Sequence, residues 1–121
     1  MSAAWALEDG ALVGVGALVA GELAAGGGLA PADLRGWLAA AKGAWLDLDL
    51  ALLDVDDGVA MAELTGWLRG LRDAAAAEGA RGLRLREAPQ MLAHTLYKVG
   101  DLRDGRMILV DPRSDEGRWG P

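Results

Sequence analysis

The sequence predicts an α/β domain, a mixed β-sheet of four to five strands covered by three main helices. Three observations lead there. Apolar and polar residues alternate through 44–55 and 83–86, the period of half-buried strands. Between such stretches apolar residues recur at helical spacing, as in Leu34, Trp37, Leu38 and in Met61, Leu64, Leu68, Leu71, Ala75. The two kinds of segment come in the order strand, strand, helix, strand, helix, strand, helix, strand. That order implies parallel neighbours joined by right-handed crossovers.

Taken in order, residues 4–8 form a short first strand, broken by Asp9-Gly10. Residues 11–20 form the second. One of its faces carries Val13, Val15, Ala17 and Val19, the other Leu12, Gly14, Gly16, Leu18 and Ala20. Its glycines weaken a strand but admit a second layer closely. Gly26-Gly27-Gly28 make a turn. Pro31 then opens a helix, with Asp33 placed to meet the positive end of its dipole, and Gly43 ends it.

In 44–55, Trp45, Asp47 and Asp49 alternate with Leu46, Leu48 and Leu50. Leu52 and Leu53 lead on to a loop carrying Asp54, Asp56, Asp57 and Gly58. A long helix follows and runs out at Glu78-Gly79. Residues 83–86 alternate Leu and Arg. Ala88-Pro89 opens a third helix, with Leu92, Leu96 and Val99 as its stripe and Gly100 as its end. Residues 107–110 make the last strand. The expectation is one domain over 1–111 and a polar C-terminal tail over 112–121.

Composition narrows the function. The chain has 121 residues, the size of one domain. It has no cysteine, which excludes disulfides, thiolate metal sites and a cysteine nucleophile and fits a reducing, cytoplasmic setting. The net charge of −6 is uneven: ten acids stand against Arg35 and Lys42 up to Glu63, and eight acids against ten bases after it. Nucleic-acid binding needs a basic face, so none is expected. The apolar run over 11–30 contains Glu22 and six glycines and no basic start, so it reads as a buried strand and turn, not as a membrane insertion or a signal peptide.

Candidate chemistry is sparse. The apolar strand running into Asp54-Val55-Asp56-Asp57-Gly58-Val59 looks like the nucleophile motif of the haloacid dehalogenase phosphatases, in which two aspartates two positions apart serve a Mg²⁺ and a phosphoryl group. Here an extra Asp precedes the glycine. The later hydroxyl, lysine and second acidic pair also lack clear counterparts in a chain with two serines, two threonines and two lysines. His94, the single histidine, has no Ser or Cys to activate and is no triad. The glycines at 10, 14, 16 and 26–28 are not followed by the lysine of a phosphate loop. Trp37 and Trp67 read as core or interface residues. No catalytic residue, metal site or cofactor is expected, and the chain is read as a protein that is not an enzyme.

The layout resembles the STAS domain, the fold of bacterial anti-sigma factor antagonists. Gly21-Glu22-Leu23 matches that family's Gly-Glu-Leu-Asp signature, with Ala24 in the last place, and residues 31–38 fit its first helix. Asp49-Leu50 matches an Asp-Leu that leads in the family to Asp-Ser-Ser-Gly-Leu. The matching stretch here is Asp57-Gly58-Val59-Ala60-Met61. Residues 83–86, 88–90, 96–100 and Leu102 complete a likeness over about residues 8–111.

The family's phosphorylated serine has no counterpart. Its place falls on Val59, and no shift by one or two positions supplies a hydroxyl. The resemblance implies a regulatory protein-binding domain without that switch, since the family blocks docking by adding phosphate charge at this helix start. Partners implied are a kinase-like anti-sigma factor or, alternatively, the ATPase of an ABC lipid-transport complex in which the chain is an accessory subunit; a homodimer is also compatible. The expected contact surface is Asp54, Asp56, Asp57, Gly58, Val59, Glu63 and Trp67.

Overall fold

The computed structural model describes residues 3–23, 31–40 and 43–113. Strands β1 (Ala4–Glu8) and β2 (Ala11–Ala17) pair as an antiparallel hairpin. Its turn residues Asp9 and Gly10 both take positive φ, 50° and 81°. That is the geometry in which Asp-Gly matches the twist of the flanking strands. From β2 the chain alternates: α1 (Pro31–Ala40), β3 (Trp45–Asp54), α2 (Gly58–Ala77), β4 (Gly82–Arg86), α3 (Gln90–Lys98) and β5 (Met107–Val110). The result is one mixed sheet of five strands in the order β1-β2-β3-β4-β5, parallel from β2 onward.

This order decides where the helices go. Each right-handed crossover steps to the next strand in the same direction, so all three described helices fall on one face. Burial follows. Leu12, Leu46, Leu48, Leu50, Leu83, Leu85 and Met107 point into the helical layer and are fully buried. Against them pack Trp37 and Leu38 of α1, Leu64, Leu68 and Leu71 of α2, and Leu92 and Leu96 of α3. Of the two β2 faces, the one bearing Leu12, Gly14 and Leu18 is the inner one, and Val15 and Val19 stay exposed.

A bulge corrects the simple alternation of β3. Val13 pairs with Asp49 but Val15 with Leu52, so β3 carries one extra residue. Beyond it the parity switches. Leu53 and Val55 turn inward, and Leu52 is 65% exposed. Two predicted stripe positions also move. Val99 caps α3 and is exposed, because the chain turns away at Gly100 (φ 80°) before another helical turn forms. Met61 sits half-buried at the rim, while Ala60 and Thr65 occupy the inner face of α2. The second strand stops at Ala17 rather than Ala20. The expected turn at 26–28, the side chain of Asp33 and residues 114–121 lie outside the described residues.

Two polar clamps lock loops onto this frame. Asp101, nearly buried before β5, accepts from Nε of Arg69 with both oxygens at 2.9 Å, and Arg72 Nη1 stands 3.6 Å away. The hydrogen bond that Arg69 donates to Asp101, together with the charge of Asp101, raises the Arg69 pKa. Replacing Asp101 by Asn is expected to cost about 1–2 kcal/mol, the loss of a charged hydrogen bond discounted for the exposure of Arg69. A urea titration with unchanged midpoint would remove this clamp from the account.

The second clamp is Arg113. β3 outruns β4 on that side, which leaves the carbonyls of Ala51 and Leu53 without a strand partner, and Nη1 and Nη2 of Arg113 donate to them at 3.0 and 2.6 Å. Arg113 N–H also donates to the Ala88 carbonyl. Arg113, expected in a polar tail, is thus part of the folded unit.

Candidate functional site

The acidic loop lies where β3 leaves the sheet. Asp54 closes the strand, and the Leu18 N–H donates to its carbonyl at 2.8 Å. Val55 is buried and pins the loop from beneath. Asp56 and Asp57 follow, exposed. Asp57 is the N-cap of α2: its φ and ψ are extended, and its carboxylate accepts from the N–H groups of Val59 and Ala60 at 3.3 and 3.4 Å. A carboxylate here satisfies orphan donors and meets the positive helix end at once. Gly58 begins the helix with open space around the position of a Cβ, and Val59 is 59% exposed.

The two remaining expected contact residues are occupied within the fold. Oε2 of Glu63 accepts the Gly21 N–H at 2.8 Å, stitching the turn after β2 to α2. In the same turn Glu22 accepts from the N–H groups of Ala3 and Val19. Trp67 is half-buried against Trp5, ring centroids 4.8 Å apart and planes at 52°. The structure therefore gathers Asp54, Asp56, Asp57, Gly58 and Val59 at one exposed edge and turns Glu63 and Trp67 toward the N-terminal segments.

The hydroxyls sit elsewhere. Thr65 is buried and donates to the Met61 carbonyl at 2.9 Å. Thr95 does the same to Met91 on α3. His94 lies exposed on the outer wall of α3, in a shallow groove of about 300 Å³ with Gln90, Ala93, Tyr97, Pro112 and Arg113. Trp37 is core, its Nε1 donating to the Gly10 carbonyl at 3.2 Å. Among the described residues no three His, Cys, Asp or Glu side chains converge into a set able to hold a metal ion, so Asp54 and Asp56 stand outside any such cluster. No described helix is long and apolar enough to cross a membrane.

One charged constellation was not foreseen. On the sheet face away from the helices, Arg84 Nε and Nη2 donate to the two oxygens of Asp47 at 2.7 and 3.0 Å, and Nη2 of Arg86 reaches Asp47 Oδ2 at 3.1 Å. This hydrogen bond, outweighing desolvation, raises the Arg84 pKa. A depression of about 460 Å³ opens beside it, lined by Asp49, Arg84, Arg86, Glu87, Val110 and Asp111. The signal was present as the Asp/Leu alternation of β3 and the Leu/Arg alternation of β4. Only their register turns two patterns into paired columns.

Compared with known proteins, the chain matches no protein-family model and no curated protein significantly.

Proposed function

We propose that the chain is a regulatory protein-binding domain of STAS type that docks through the loop Asp54, Asp56, Asp57, Gly58 and the exposed start of α2 at Val59. The observation that carries this reading is the pairing at one edge of an exposed apolar side chain with three exposed carboxylates. An apolar anchor ringed by charge is the ordinary anatomy of a small protein contact. Further along the outward side of α2, Gly66 and Gly70 have open space about them and would let a partner approach the backbone closely. The absence of a hydroxyl at 57–59 leaves this surface in one charge state, without the phosphorylation switch of the family it resembles. The partner is a kinase-like anti-sigma factor or a transporter ATPase.

Capping separates folding from docking in the test. Asn caps a helix about as well as Asp, whereas Ala at this position costs about 1 kcal/mol. Asp57→Asn is thus expected to keep the melting temperature and, combined with Asp56→Lys, to weaken capture of the native partner at least tenfold. Affinity purification of both forms, followed by titration of the protein recovered, measures it. Undiminished affinity in the folded double variant would remove the loop from the interface. Steady hydrolysis of a phosphate ester with Mg²⁺, abolished by Asp54→Asn, would replace the docking reading with the phosphatase one.

A further inference from the structure

Parallel strands are rarely left bare on one side, yet among the described residues nothing packs on the second face of β2–β5. The centre of that face is charged and its flanks are apolar. β3 supplies Asp47 and Asp49, and β4 supplies Arg84 and Arg86, in the register Asp47↔Arg84 and Asp49↔Arg86. Val13 of β2 lies level with Asp49 on one flank, and Val110 of β5 level with Arg86 on the other. A row therefore reads apolar, acid, base, apolar. At its end Val15 and Leu52 pair, 44% and 65% exposed.

We propose that this face is the interface of a two-fold homodimer whose axis runs parallel to the strands between β3 and β4. A two-fold contact must be self-complementary. Rotation about that axis lays β3 of one copy over β4 of the other without changing the level along the strands. Asp49 then faces Arg86 of the second copy, Asp47 faces Arg84, and Val13 faces Val110. A face-to-face axis across the strands instead lays β3 over β3 and sets acid against acid. The charges select the axis. Four strands about 4.8 Å apart and about five residues tall give a face of roughly 300 Å² per copy. That size belongs to weak interfaces, so the dimer is concentration-dependent. The outward side of α2, in the other layer, remains free; this inference does not depend on the docking role proposed above.

Sedimentation of the full chain from micromolar to millimolar concentration tests it. The wild type is expected to pass from monomer to dimer. Arg86→Glu and Asp49→Arg are each expected to stay monomeric where the wild type dimerises, since each sets like charges opposite one another. Mixed in equal amounts, the two variants regain opposite charges at both contacts and are expected to form a heterodimer. A wild type that stays monomeric to millimolar concentration, or a mixture that does not associate, overturns the proposal. If circular dichroism shows either charge variant unfolded, Val13→Cys and Val110→Cys serve instead, since the chain has no cysteine of its own. A bismaleimide of about 10 Å reach, the spacing of packed sheets, should link the mixture of these two far faster than either alone. Equal linkage in all three samples overturns the proposal as well.

Discussion

Replacing Trp5 with alanine is expected to lower the unfolding free energy by about 3–5 kcal/mol, the range for removing a buried tryptophan. That is a large part of the stability of a small domain. Trp5 lies on the edge strand β1, only 7% exposed, directly across from Gly14. The ring occupies the space a side chain would fill there: a Cβ on Gly14 would stand 2.7 Å from Cζ3 of Trp5. Trp67 closes the ring from the α2 side at 4.8 Å. Trp5 thus ties the hairpin to the helical layer, and its loss opens a cavity that β1 cannot collapse into without leaving β2. Phenylalanine should cost less, because most of the contact remains and the buried indole N–H, which has no partner among the described residues, disappears. Urea titrations of the two variants measure the difference. A loss below about 1 kcal/mol for Trp5→Ala would mean that the ring holds nothing together.

Glycine-to-alanine substitutions are expected to act with opposite signs at two places in the chain. At Gly82 the change should cost about 3 kcal/mol or more, through overpacking and a forbidden backbone angle. Gly82 opens β4 with φ at 148°, and a Cβ there would run into the Arg106 carbonyl, with the carbonyl carbon at 2.7 Å. The obstacle is backbone, and the same carbonyl accepts the Leu83 N–H at 2.8 Å, so the β4–β5 connection must shift to make room. At Gly66 and Gly70 the same change meets open space within α2 and should stabilise by up to about 1 kcal/mol through helix propensity. Thermal unfolding of the three single variants reads both signs. Destabilisation at all three would mean that the outward side of α2 is packed in solution.

Much of the fold was legible because its period is local. Leu46, Leu48 and Leu50 on β3 and Leu64, Leu68 and Leu71 on α2 face inward as their spacing requires. The acidic loop too was readable in place, since an Asp before a helix is a cap by local chemistry alone; Asp57 does that work. Glu63 and Trp67 were not readable. Their spacing places them on α2, but their partners, Gly21 and Trp5, lie more than forty residues away in sequence.

The amino-acid order by itself determined the elements, their alternation and most inward positions of β3 and α2, because hydrophobic period and capping act between residues a few positions apart. The tertiary structure decided what depends on register: the β3 bulge that exposes Leu52, the capture of two strand carbonyls by Arg113, and the acid and base columns on the open sheet face. Strand pairing brings distant segments level to within a single residue, and a shift of one residue moves every side chain to the other face.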